Sequence, residues 1–167
     1  MEEEDDRLKG PEAPAQAEEP GVGEPQASGP EHESLYLKIQ KMGVAERVAL
    51  ALKGDKEARS ILIKDANKLV QLAVVNSPRL QDAEVIAIAK NRSVNDEVLR
   101  RIGSRKEWLK HYEVRSALVQ NPRTPLPLAM KLVATLSARD LQQLAKSKNV
   151  PTAIATLARR LVMTKQP

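Results

Sequence analysis

The chain has 167 residues and a mass of 18.4 kDa, which sets one core of ordinary size, or a short repeat array, as its ceiling. Hydrophobic residues at 41% and charged residues at 29% make a globular composition, but aromatics at 2% (Tyr36, Trp108 and Tyr112) exclude a large aromatic core. Cysteine is absent and histidine is limited to His32 and His111, which excludes disulfides, thiolate-held iron–sulfur clusters and thiolate zinc sites, so no cofactor is expected.

The net charge of +5 conceals a division. Residues 1–33 carry eleven acids against Arg7 and Lys9, a net −9, so residues 34–167 carry +14 from 25 basic and 11 acidic side chains. The same 33 residues hold five Pro and four Gly and few branched apolar side chains, too little to offset the entropy of ordering. They are expected to form a disordered acidic tail. A secretory signal needs a basic start and an apolar run, and this segment has neither. No run of about 18 apolar residues occurs, so no membrane span is expected and the expected location is cytoplasmic.

From Ser34 onward apolar residues recur at helical spacing. Leu35, Ile39 and Met42 form the first stripe, followed by Val44, Val48, Ala51 and Leu52, and then by Ala58, Ile61 and Leu62. Stripes around Leu72, Val85, Leu99, Leu118, Leu132, Leu144 and Leu157 continue the pattern. The fold class is therefore all-α, with a helical domain over 34–163 and a frayed end over 164–167. Ser104 with Glu107 and Ser137 with Asp140 have capping-box spacing. Thr124 ahead of Pro125 predicts a helix start, as do Pro78 and Pro151. Gly43, Gly54, Gly103, Asn76, Asn91 and Asn121 are expected to be helix stops with a left-handed backbone.

The residues ahead of the Asn stops are alike. Leu69–Asn76, Glu84–Asn91 and Val114–Asn121 superpose, and Leu141–Ser147 is a looser copy. The stops lie 15 and 30 residues apart, as one helix and a helical pair would place them. The expected unit is helix, turn, helix, stacked into an α-solenoid. Over residues 44–163 the chain resembles the bacterial HEAT-like and variant helical repeat proteins, most clearly in Glu107-Trp108-Leu109, Ala117-Leu118-Val119-Gln120-Asn121-Pro122 and Leu144-Ala145-Lys146-Ser147-Lys148-Asn149-Val150-Pro151. The resemblance implies a curved surface for macromolecular contact. The cysteine cluster of the leucine-rich repeat variant proteins and the Asp and Arg ladder of eukaryotic HEAT repeats are both missing, so no iron–sulfur centre is carried over.

Catalytic motifs are scarce. Lys53-Gly54-Asp55-Lys56 lacks the spacing of a phosphate-cradling loop, and Asp96 and Glu97 are expected to be helix-start acids. His111 has no nucleophile at an adjacent helical position. The densest charged cluster is Arg100, Arg101, Arg105, Lys106, Lys110 and Arg115, interleaved with Trp108 and Tyr112. Cations beside aromatics suit stacking on nucleic-acid bases; alternatively, the two rings fill the core and the cations form a solvated rim. The expected function is a noncatalytic scaffold for a protein partner, with these eight residues as candidate contacts. The alternative is nucleic-acid binding through a basic surface, for which the helical-repeat DNA glycosylases offer an architectural parallel. One continuous stripe of cations would favour nucleic acid, and scatter over all helices would favour the scaffold.

Overall fold

The computed structural model describes residues 30–165, with side chains from Ser34 onward, and the regular structure among them is helical throughout. The helices are α1 (Pro30–Lys41), α2 (Val44–Lys53), α3 (Lys56–Leu62), α4 (Lys68–Asn76), α5 (Asp82–Lys90) and α6 (Asp96–Ser104). They continue as α7 (Lys106–Leu109), α8 (Tyr112–Gln120), α9 (Leu126–Val133), α10 (Ala138–Lys146) and α11 (Thr152–Lys165). No described helix is long and apolar enough to cross a membrane. Helix α1 opens at Pro30, within the segment assigned to the tail, because proline loses no bond at a first helical position. Helix α11 runs to Lys165, beyond the expected start of the fray. The rest of the acidic tail lies outside the described residues.

Helices of nine residues such as α4 are too short to persist alone in water, so packing holds them. Helix α2 packs on α4, α4 on α6 and α9 on α11, while Gly103 of α6 meets Leu128 of α9. Those helices form a first series. In a second series Arg59 of α3 bonds Glu84 of α5, α5 packs on α8, and Tyr112 of α8 bonds Asp140 of α10. The core lies between the series, with Leu62, Val74, Leu99, Ile102, Leu118 and Leu141 fully buried. Burying each such side chain contributes about 1.5–3 kcal/mol.

Several helix boundaries depart from the expected ones. Asn91 and Asn121 do end α5 and α8, but with extended backbone (φ −75°, ψ 115° and φ −81°, ψ 117°). Their side chains make the turns instead, accepting from the Ser93 and Arg123 amides at 2.8 and 3.0 Å. Gly103 is no stop: it lies inside α6, where an added Cβ would come within 2.4 Å of Leu128. Glycine there permits α6 and α9 to approach. Ser104 ends α6 and donates to the Arg101 carbonyl, so it caps nothing, whereas Ser137 caps α10 as its spacing predicts. Thr124 lies one position too early, since Pro125 is the cap residue of α9 and Pro127 occupies the first turn. Pro78 sits in a turn, and α5 opens at Asp82 because the Glu84 carboxylate takes the Gln81 amide at 3.0 Å. The stretch between Asn91 and Asn121 holds a third, single-turn helix, α7, in addition to the expected pair.

Candidate functional site

Loops that lead from the first series to the second form one edge of the molecule, and those that return form the other. Hydrogen bonds join neighbouring loops along each edge. On the forward edge Ser77 donates to the Leu52 carbonyl at 3.1 Å and Arg79 to the Lys53 carbonyl at 3.3 Å. On the return edge the Asn95 amide donates to Gln71 Oε1 (2.8 Å), while Gln71 Nε2 donates to the Asp65 carbonyl (2.7 Å). Asn121 Nδ2 donates to the carbonyls of Ala89 and Asn91 at 2.8 and 3.0 Å. Gln71 and Asn121 are both buried, so each amide satisfies backbone groups that water does not reach.

The basic and aromatic cluster is divided by this frame. Trp108 lies in α7 and Tyr112 opens α8, so a turn separates them and the shared helical face expected from their spacing does not form. Trp108 is buried, with the Arg105 guanidinium 4.4 Å from its ring centre, whereas Tyr112 is 37% exposed. Arg101 Nε and Arg105 Nη2 both donate to Asn76 Oδ1, at 2.9 and 3.1 Å. Arg115 Nη1 donates to the carbonyls of Leu109 (2.6 Å) and Lys110 (3.1 Å) and stacks near Tyr112. These arginines close helix ends on the forward edge, a task the planar guanidinium fork performs well. Arg100 is exposed and pairs with Glu97 at 3.7 Å, while Lys106 and Lys110 are exposed. Of the eight predicted contacts, Arg100, Arg101, Lys106, Lys110 and Tyr112 face solvent, Arg105 and Arg115 are half-buried, and Trp108 belongs to the core. Asp96 and Glu97 lie in the first turn of α6, as expected, and His111 Nε2 lies 3.2 Å from Asp82.

The second series carries a surface that the sequence reading did not single out. A cavity of about 350 Å³ opens between α3 and α5, lined by Ser60, Lys64, Ala83, Ala87 and Asn91. A second, between α5 and α8, is lined by Lys90, Arg92, Ser116 and Gln120. A third, toward α10, shares Arg92 and Gln120 with the second and adds Gln143 and Asn149. The second and third are joined through these shared residues, and the first adjoins the second where Lys90, Asn91 and Arg92 follow one another, so the three form a furrow lined by Ile63, Val74 and Ile88 at its α3 end and mainly by small, amide and charged side chains beyond. Glu113 also borders it, whereas the Asp140 and Glu84 carboxylates are already bonded to Tyr112 and Arg59. The only sequence signal for this surface is the small or amide residue recurring on the solvent side of successive helices: Ser60, Ala87, Ser116 and Gln143.

Beneath the furrow, Arg59 and Glu84 form a buried bidentate pair, with Nε and Nη2 each 2.9 Å from a carboxylate oxygen. Arg59 Nη1 also donates to the Gly54 carbonyl. The hydrogen bond to Glu84 raises the Arg59 pKa against the effect of burial. Burial by itself raises the Glu84 carboxyl, but the hydrogen bonds from Arg59 and the Gln81 amide, with the charges of Arg59 and Lys56, hold it below its ordinary value. Among the described residues no three His, Asp or Glu side chains gather where a metal ion could sit. Compared with family models, characterised proteins and solved structures, the chain has no match.

Proposed function

We propose that this chain is a noncatalytic interaction scaffold, a short HEAT-like α-solenoid that takes an extended segment of a protein partner along the furrow of α3, α5, α8 and α10. The observation that carries the proposal is that cavities between successive helices adjoin, two through the shared Arg92 and Gln120 and the first at Lys90-Asn91-Arg92. Small and amide side chains leave room for a backbone and offer it hydrogen-bond partners, which is what an extended peptide needs. Arg101, Arg105 and Arg115 support the scaffold over nucleic-acid binding, because they are engaged within the fold, and the remaining cations spread from Lys38 on α1 to Arg160 on α11. The cytoplasm is the proposed location.

Affinity capture from native lysate with the full chain, with and without nuclease, tests the proposal. A partner that survives nuclease and is lost when Ala87→Arg and Ser116→Arg obstruct the furrow is the expected result. Capture that vanishes with nuclease and ignores both substitutions favours the nucleic-acid alternative.

A further inference from the structure

Three arginines of the described structure meet a carboxylate: Arg47 that of Asp65, Arg59 that of Glu84 and Arg100 that of Glu97. Arg101 and Arg105 instead both donate to Asn76 Oδ1, so two guanidiniums stand within 3.1 Å of one neutral oxygen. An amide dipole satisfies hydrogen bonds but cancels no charge, and like charges this close repel. The Trp108 ring, 4.4 Å from the Arg105 guanidinium, helps to hold that side chain in place. Among the described residues Arg101 Nη1 and Nη2 and Asn76 Nδ2 have no partner, so donors remain beside the paired cations.

A cavity of about 450 Å³ opens on this pair, lined by Leu72, Asn76, Glu97, Arg100, Arg101 and Ser104. Leu69, Leu72 and Asn76 follow one another along one face of α4, at spacings of three and four. Leu69 is 58% exposed, so an apolar wall leads away from the cations. Glu97 stands in the same cavity, 3.7 Å from Arg100. Its carboxylate opposes a second anion, which disfavours the repeated phosphates of a nucleic acid and leaves room for a single one. We infer that the cavity between α4 and α6 is a binding site for a phosphorylated serine or threonine of a protein partner, with an aliphatic residue beside it. A phosphoryl group brings a charge of about −1.5 to −2 and three acceptor oxygens, which suits two guanidiniums and the Asn76 amide together. A carboxylate offers one charge in one plane, which suits a single fork. The site lies on the first series, apart from the furrow, and goes beyond the scaffold reading.

Nuclear magnetic resonance titration of the full chain with a blocked phosphoserine-Leu-Leu peptide at physiological salt tests the inference. Saturable shifts of the Ser104 amide, the Asn76 side-chain amide and Arg101 Nε are expected, and none of these from the unphosphorylated peptide. Inorganic phosphate is expected to shift the same groups but to bind about tenfold more weakly, since it buries nothing against Leu69 and Leu72. Affinity should rise with pH as the phosphoryl group takes its second charge near about pH 6. Asn76→Asp keeps an acceptor for both arginines and supplies the missing charge, so this variant should fold and lose about tenfold or more in affinity. Equal responses to the two peptides, an affinity that Asn76→Asp leaves unchanged, or inorganic phosphate binding as tightly as the phosphopeptide overturns the inference. Ala87→Arg with Ser116→Arg should leave this binding unchanged. A loss there would put the peptide in the furrow, which overturns the separate site and leaves the scaffold standing.

Discussion

The Tyr112 hydroxyl donates to the Asp140 carboxylate and accepts from the Ser137 amide at 2.9 Å, so a phenol from α8 stands between the two ends of the cap that opens α10. The Ser137 hydroxyl still takes the Asp140 amide, but the reciprocal bond of a capping box passes through Tyr112. A local helix start has thereby become a tie between neighbouring helices. Tyr112→Phe is expected to cost about 1 kcal/mol, the usual net value of a partly exposed hydrogen bond. Urea unfolding of Tyr112→Phe, Asp140→Ala and the double variant checks it. Strict additivity would show that the two groups are not coupled.

Arg59 and Glu84 supply a larger tie. Arg59→Ala leaves a buried carboxylate without its partner and is expected to cost about 3–5 kcal/mol. The pH dependence has a definite sign. Glu84 titrates lower in the folded state than in the unfolded one, so its contribution is complete above the unfolded value of about 4.3 and is lost as pH falls through the folded value. The stability difference between the unmodified chain and Glu84→Gln should therefore shrink below about pH 4. Chemical unfolding across that window measures it, and a difference that grows with acid would contradict the assigned shift.

Asn121 and Gln120 are neighbours with opposite roles. Asn121 serves two carbonyls at the C-terminal end of α5, those of Ala89 and Asn91, from a buried position, while Gln120 is exposed and donates only to Ser116. Asn121→Ala is expected to cost about 2–3 kcal/mol, and Gln120→Ala less than about 0.5 kcal/mol. Thermal unfolding separates the pair.

Leu118 and Leu144 occupy the inward position of two repeat copies and are 0% and 3% exposed, whereas Lys146 faces solvent. Leu118→Ala and Leu144→Ala should each cost about 2–5 kcal/mol. Lys146→Ala should fall within about 0.5 kcal/mol of the unmodified chain. Equivalent losses at all three positions, read by denaturant titration, would refute the alignment of the copies.

Arg101→Glu with Arg105→Glu tests the basic cluster. Both guanidiniums bond Asn76, so reversing them is expected to lower stability by about 1 kcal/mol or more. Random oligonucleotides should bind the full chain weakly, and this binding should disappear near physiological salt, where the screening length is about 8 Å. Anisotropy at two salt concentrations reads this directly. Submicromolar binding at physiological salt that depends on Arg101 and Arg105 would favour the nucleic-acid alternative.

The all-helical class, the inward leucines and the Asn turns were legible in the sequence because each rests on local physics. Periodicity, a capping hydroxyl at Ser137 and short amides at Asn91 and Asn121 act over a few residues of chain. The fate of the cations was not legible. Spacing placed Trp108 and Tyr112 on one helix face, yet a turn between α7 and α8 parts them, and Arg101, Arg105 and Arg115 are drawn to oxygens five to 29 residues away. The furrow lay beyond the sequence for the same reason. Ser60, Ala87, Ser116 and Gln143 become one surface only when the second series is laid side by side, and packing between helices decides that, whereas the chain by itself decides only that the helices exist.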